Sequence, residues 1–177
     1  MKKKETIEVI SRFTGKYAFL DNSFVGHEFT YEGNKFNSAE AAYQSAKCLD
    51  LRSRYRFTKM NPANAHKVGQ LVRIRPDWEM VKDKVMEDVI WAKFAGDKGL
   101  STRLIATNPA ILINGTDSDT YWGMVENQGE NKLGKILTKV RDKLIGQFNV
   151  DFDRSTAVRT TSVKKNLYYP TDKYSEY

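Results

Sequence analysis

Three short stretches of this 177-residue chain carry side chains able to do chemistry. In Ser38-Ala39-Glu40-Ala41-Ala42-Tyr43-Gln44-Ser45-Ala46-Lys47, helical spacing puts Glu40, Gln44 and Lys47 on one face. A carboxylate flanked by an amide and an ammonium can stabilise a cationic centre or orient a polar substrate. An acid in a first helical turn also favours the helix dipole and needs no substrate to explain it. Asp117-Ser118-Asp119-Thr120-Tyr121-Trp122-Gly123 sets two carboxylates beside an aromatic ring, and Asx turns account for it equally well. In Gly129-Glu130-Asn131-Lys132-Leu133-Gly134, Asn131 is either a ligand or a helix cap. One cysteine, Cys48, excludes an internal disulfide, and with only His27 and His66 beside it no closed protein zinc site is expected. Metal-free, cofactor-free chemistry in a reducing cytoplasm is the expectation.

The formal net charge of +7 is localised. Leu51 to Pro76 holds seven bases, Arg52, Arg54, Arg56, Lys59, Lys67, Arg73 and Arg75, and no acid; removing them from the 29 leaves 22 bases against 22 acids. Such a field attracts phosphate on a nucleotide or a nucleic acid. A solvated face that keeps the protein soluble is the competing reading.

These groups need a scaffold, and 40% hydrophobic residues with 12% aromatics suffice for one core. No apolar stretch approaches the length of a membrane span, and the charged opening Met1-Lys2-Lys3-Lys4-Glu5 does not resemble a signal peptide. The pattern predicts a mainly α fold with a small β-rich N-terminal part, a single compact domain over 7–147 and a polar, tyrosine-containing tail over 148–177. Residues 7–36 read as short strands and loops, with a tight hairpin at Tyr31 to Phe36. Ser38 caps a helix running to Leu49, and Asn61-Pro62 opens another reaching Val72. Pro76 opens a long helix patterned by Trp78, Val81, Val85, Val89 and Ala92, followed by a short one over Leu100 to Ala106. Ile111 to Ile113 reads as a brief strand. The glycine-rich loop Asn114 to Glu130 has a length that usually carries function. A last amphipathic helix uses Leu133, Ile136, Leu137, Val140 and Leu144, with Gly146 as its stop.

Taken in order, Ser-x-Glu-x-x-x-Gln-x-x-Lys at Ser38 to Lys47, Met86 with Lys93-Phe94, Asp-x-x-Trp-Gly at Asp119 to Gly123, Gly-x-Asn-x-Leu-Gly at Gly129 to Gly134 and Val140-Arg141 resemble the NADAR family over roughly Phe13 to Leu144. That family includes N-glycosidases of the YbiA type, which act on riboflavin intermediates, and enzymes that remove ADP-ribose from guanine. The resemblance implies a metal-free hydrolase cutting a ribose C1'–nitrogen bond, with a ribose-phosphate small molecule or ADP-ribosylated nucleic acid as its partner. It matches Glu40, Lys93, Asp119, Trp122 and Asn131 to the polar and aromatic positions lining the family's pocket; the chemistry of N-glycoside cleavage then puts Glu40 at the sugar and Asp119 at water, roles that could be exchanged. Gln44, Lys47, Lys93, Trp122 and Asn131 would bind substrate, with Arg52 and Arg56 of the basic segment holding phosphate. ADP-ribosylated guanine is the favoured substrate, riboflavin intermediates the alternative, and a non-catalytic nucleotide binder the third reading. Asn114 stands where relatives carry a glutamate.

Overall fold

A computed structural model describes residues 7–165, with side chains described through residue 150. The chain clusters into two compact units, Met1–Leu144 and Ile145–Tyr177. The tyrosines at 168, 169, 174 and 177 lie outside the described residues.

The fold is mainly helical. Strand β1 (Val9–Ile10) leads into a 3-10 helix (Gly15–Leu20), then a hairpin of β2 (Phe29–Tyr31) and β3 (Asn34–Phe36). Glu32 and Gly33 form the turn with φ of 44° and 77°, the left-handed pair that matches the twist of a two-residue hairpin. Helix α1 (Ala39–Ser45) starts where Ser38 Oγ accepts from the Ala41 amide at 3.2 Å. Ala39, Ala41 and Ala42 are fully buried, so α1 sits at the centre, packed on α2 (Leu51–Phe57), α3 (Pro62–Gly69) and α4 (Trp78–Ala95). Asn61 caps α3 with Pro62 in its first turn, as the sequence predicts.

Helix α4 buries Trp78, Val85, Met86, Val89, Ile90, Lys93 and Phe94, a stripe at helical spacing. Helix α5 (Lys98–Ile105), capped by Asp97, packs on α4, and β4 (Ile111–Leu112) pairs in parallel with β1, Ile10 opposite Leu112. Helix α6 spans Lys132–Lys165 and buries Leu133, Ile136, Leu137, Val140 and Leu144.

Three boundaries differ most from expectation. Helix α1 ends at Ser45, short of the expected Leu49, because Lys47 and Cys48 hydrogen-bond back only three residues and the chain turns into α2, capped by Asp50. Helix α3 stops at Gly69, short of Val72. Helix α6 does not stop at Gly146: a lone glycine costs about 1 kcal/mol inside a helix but ends it only where the backbone turns left-handed, and Gly146 is not among the positive-φ residues.

Candidate active site

Glu40 occupies the first turn of α1, and its amide donates to Asn22 O at 2.9 Å. Its side chain is 13% exposed. Oε1 accepts from Gln44 Nε2, one turn along, and meets His66 Nδ1 of α3, both at 2.9 Å. Among the described residues Oε2 accepts no hydrogen bond, which leaves one carboxylate oxygen for a ligand. Gln44 fits because residue 69 is glycine: a Cβ there would lie 2.0 Å from Gln44 Oε1 and 2.9 Å from Gln44 Cβ. Lys47 Nζ donates to Gly69 O at 3.2 Å and lies 5.9 Å from the centre of the Trp78 ring. Burial depresses the Lys47 pKa, against the opposing pull of Glu40.

The second carboxylate comes from the 114–130 loop. Asp119 Oδ1 accepts from the amides of Tyr121 (2.9 Å) and Trp122 (2.8 Å), while its own amide donates to Thr116 Oγ1 at 3.0 Å. This is an Asx turn, and it fixes the loop, while among the described residues Oδ2 accepts no hydrogen bond. Trp122 meets Tyr43 edge-on at 5.5 Å and Tyr121 at 5.0 Å. The Tyr121 hydroxyl donates to Asp83 Oδ1 at 2.5 Å, and Lys132 Nζ holds Asp83 Oδ2 at 2.8 Å. The loop is thereby tied to α4.

Glu40, Gln44, Lys47, Asp119 and Trp122, all named from sequence, line one cleft of about 390 Å³. Trp78, Lys82 and His66, none of them a substrate-contact candidate from the sequence, line it too. Lys82 Nζ lies over the Tyr121 ring at 4.2 Å. A second, more open cavity of about 630 Å³, lined by Ser23, Asn61, Pro62 and Lys67, shares Glu40 and His66 with the first.

The other named residues sit elsewhere. Asn131 has both ends of its amide engaged: Nδ2 donates to Leu112 O and Oδ1 accepts from the Asn114 amide, each at 2.9 Å. Its φ of 50° and its contact with Gly134, where a Cβ would lie 2.6 Å from the amide, explain the glycine–asparagine–glycine spacing as a staple between β4, the loop and α6. Asn114 is buried and donates to Trp122 O at 3.4 Å, beneath the loop. Lys93 is 2% exposed, donates to Asp21 O at 2.7 Å, and has its pKa pushed down to about 7 by burial. It is near the Phe24 and Phe94 rings and supports the Asp21-Asn22 segment, whose next carbonyl receives the Glu40 amide. Arg52 and Arg56 are exposed on α2; Arg56 lines a separate groove with Arg73. Arg54 and Arg75 pair with Glu32 and Asp77, so part of the basic segment is neutralised by acids lying outside it.

Among the described residues no helix is long and apolar enough to cross a membrane, and no three His, Cys, Asp or Glu side chains group as metal ligands. The NADAR domain profile matches residues 2–145. The chain is 33% identical over 127 residues to N-glycosidase YbiA of Shigella flexneri, covering 70% of this chain and 79% of that protein, and 32% identical over the same length to its Escherichia coli counterpart. It is 28% identical over 143 residues to the chloroplastic riboflavin biosynthesis protein PYRR of Arabidopsis thaliana, 77% of this chain but 23% of that protein. The NMR structure of E. coli YbiA superposes with a TM-score of 0.69 at 25% identity, covering 96% and 95% of the two chains. The motifs, the fold and these relatives agree, and the chain belongs to the NADAR domain family as an enzyme of N-glycosidase type.

Proposed function

We propose that the cleft hydrolyses the bond between ribose C1' and an amino nitrogen of a heterocyclic base on a phosphorylated riboside. The observation that carries this reading is Glu40, mostly buried with one oxygen fixed by Gln44 and His66, in the same cleft as Asp119 and Trp122. N-glycoside cleavage develops positive charge at the sugar ring and negative charge on the departing nitrogen. Glu40 Oε2 faces the anomeric carbon and stabilises the cation. Asp119, held by its Oδ1, offers Oδ2 to the attacking water. Trp122 stacks on the base, and Lys47 and Lys82 hold the phosphate. Lys93 and Asn131 act by holding the segments that carry Glu40 and Trp122.

The substrate class favoured here is the phosphorylated ribosylaminopyrimidine of riboflavin synthesis. The cleft is small, its lysines are Lys47 and Lys82, the latter paired with Glu79 at 2.6 Å, and the exposed arginines lie outside it. The name of the PYRR relative points the same way. ADP-ribosylated guanine is the second reading, favoured by the larger cavity beyond Glu40 and His66, which has room for a pyrophosphate-linked nucleoside. Incubating the protein separately with the phosphorylated ribosylaminopyrimidine and with ADP-ribosylated guanosine, then identifying products by mass spectrometry, tests both. Binding without cleavage of either makes the protein a nucleotide binder.

A further inference from the structure

The N-glycosidase reading leaves the departing nitrogen without a proton source, and an exocyclic amine leaves poorly as an anion. Glu40 and Asp119 face the sugar and the water, while Lys47 and Lys82 are assigned to phosphate. Of the other titratable groups lining the cleft, Glu79 is paired with Lys82 and the Tyr121 hydroxyl donates to Asp83, and His66 stands at the seam of the two cavities. His66 Nδ1 is 2.9 Å from Glu40 Oε1, and His66 Nε2 is 2.9 Å from Gln70 Nε2. With the Gln70 amide donating to Nε2, the proton of a neutral imidazole lies on Nδ1, toward Glu40. Gln70 is exposed and lines the same cleft, so an entering base can displace it from Nε2. The His66 side chain is itself 58% exposed, on a helix anchored by Asn61 and Pro62.

We infer that His66 is the general acid of this enzyme, protonating the leaving nitrogen from Nε2 while Glu40 holds Nδ1. This role rests on the N-glycosidase reading. The C1'–N bond breaks with its electron pair going to nitrogen, and the proton on His66 Nε2 passes to that nitrogen. Water adds its oxygen to C1' and gives its proton to Asp119. Solvent exchange returns the proton from Asp119 and reloads the imidazole, so the sum is one water consumed for one free base and one free ribose phosphate. The pairing with Glu40 gives the imidazolium a counter-charge, the arrangement by which a carboxylate orients a histidine in other hydrolases.

The test uses the full chain and whichever of the two ribosides the wild type cleaves. His66→Ala is expected to lower kcat by about 10² or more with little change in KM, within the range usual for loss of a general acid. His66→Asn keeps a donor near the Nδ1 position, toward Glu40, but has no transferable proton. It is expected to be as impaired as the Ala variant. Added imidazole should restore His66→Ala activity in proportion to imidazole concentration, which a merely structural loss would not show. Full activity of His66→Asn, or an Ala variant deaf to imidazole with an unchanged fold by circular dichroism, overturns the proton-donor role. Cleavage of neither riboside by the wild type overturns the glycosidase reading and this role with it.

Discussion

Replacing Gly69 by alanine tests how Glu40 is held. The new Cβ would lie 2.0 Å from Gln44 Oε1, 2.6 Å from Gln44 Cδ and 2.9 Å from Gln44 Cβ. Rotating the amide relieves the first two contacts. The third involves an atom fixed to the α1 backbone, so α1 and α3 must separate slightly. Overpacking of this kind costs about 1 to 3 kcal/mol, offset by at most about 1 kcal/mol from the better helix propensity of alanine. A net loss of about 1 to 2 kcal/mol lowers Tm by about 2 to 8 °C for a chain of this size. Displacing the amide also removes the 2.9 Å hydrogen bond from Gln44 to the Glu40 carboxylate. Hydrogen bonds to charged groups contribute about 1.5 to 3 kcal/mol, and if this one acts fully in the transition state kcat falls about 10- to 10²-fold. Adding Gln44→Ala to Gly69→Ala should recover part of the stability, since only the Cβ contact remains, and none of the activity. Thermal melts and single-turnover rates on the three variants give the comparison. A Gly69→Ala protein with wild-type kcat and an unchanged or raised Tm would refute the wedge between α3 and Gln44.

Glu40→Gln keeps an acceptor for Gln44 and His66 but removes the charge, so kcat should fall about 10² to 10³-fold while ligand affinity, measured by calorimetry, stays near wild type. The Lys93 pKa of about 7 lies below the ordinary lysine value of 10.5, so between these limits the unfolded chain binds more protons and stability rises with pH. The penalty is fully present below about pH 7 and is released toward pH 10.5; Lys93→Met should flatten that part of the stability curve in urea titrations. Arg52→Ala with Arg56→Ala should leave the KM for a mononucleotide-sized riboside unchanged, because both lie outside the cleft, whereas Lys47→Met should raise it severalfold.

The parts of this protein legible in its sequence are those decided by neighbours along the chain. Ser38 and Asn61-Pro62 announce α1 and α3 because a cap acts within three residues, and the Tyr31 to Phe36 hairpin follows from a glycine turn between aromatic residues. Glu40 and Gln44 share the cleft because helical spacing aligns them, and Lys47 joins them from the turn just past the end of α1. The pairing of His66 with Glu40 is not legible in the sequence because the two lie 26 residues apart, across a helix pair whose packing no local pattern encodes. Asn131 and Lys93 were ambiguous for a different reason: a polar side chain that staples the backbone under a site and one that touches its ligand look identical in sequence. The basic segment read as an unbroken field because the acids that quench Arg54 and Arg75, Glu32 and Asp77, sit outside its limits.

The two carboxylates of the cleft are supported by different sets of bonds. Glu40 depends on Asn22, Gln44, His66 and, through Asp21, Lys93, while Asp119 depends on Thr116 and on its own loop, moored by Tyr121 to Asp83. None of these residues serves both halves. Under the proposed roles, a lineage can therefore rewrite the loop around Trp122, and so change diet, while inheriting Glu40 and its supports intact. Substitutions around Glu40 carry no such freedom, since a change in α3 alters the acid to which the proposed mechanism assigns the sugar of every substrate.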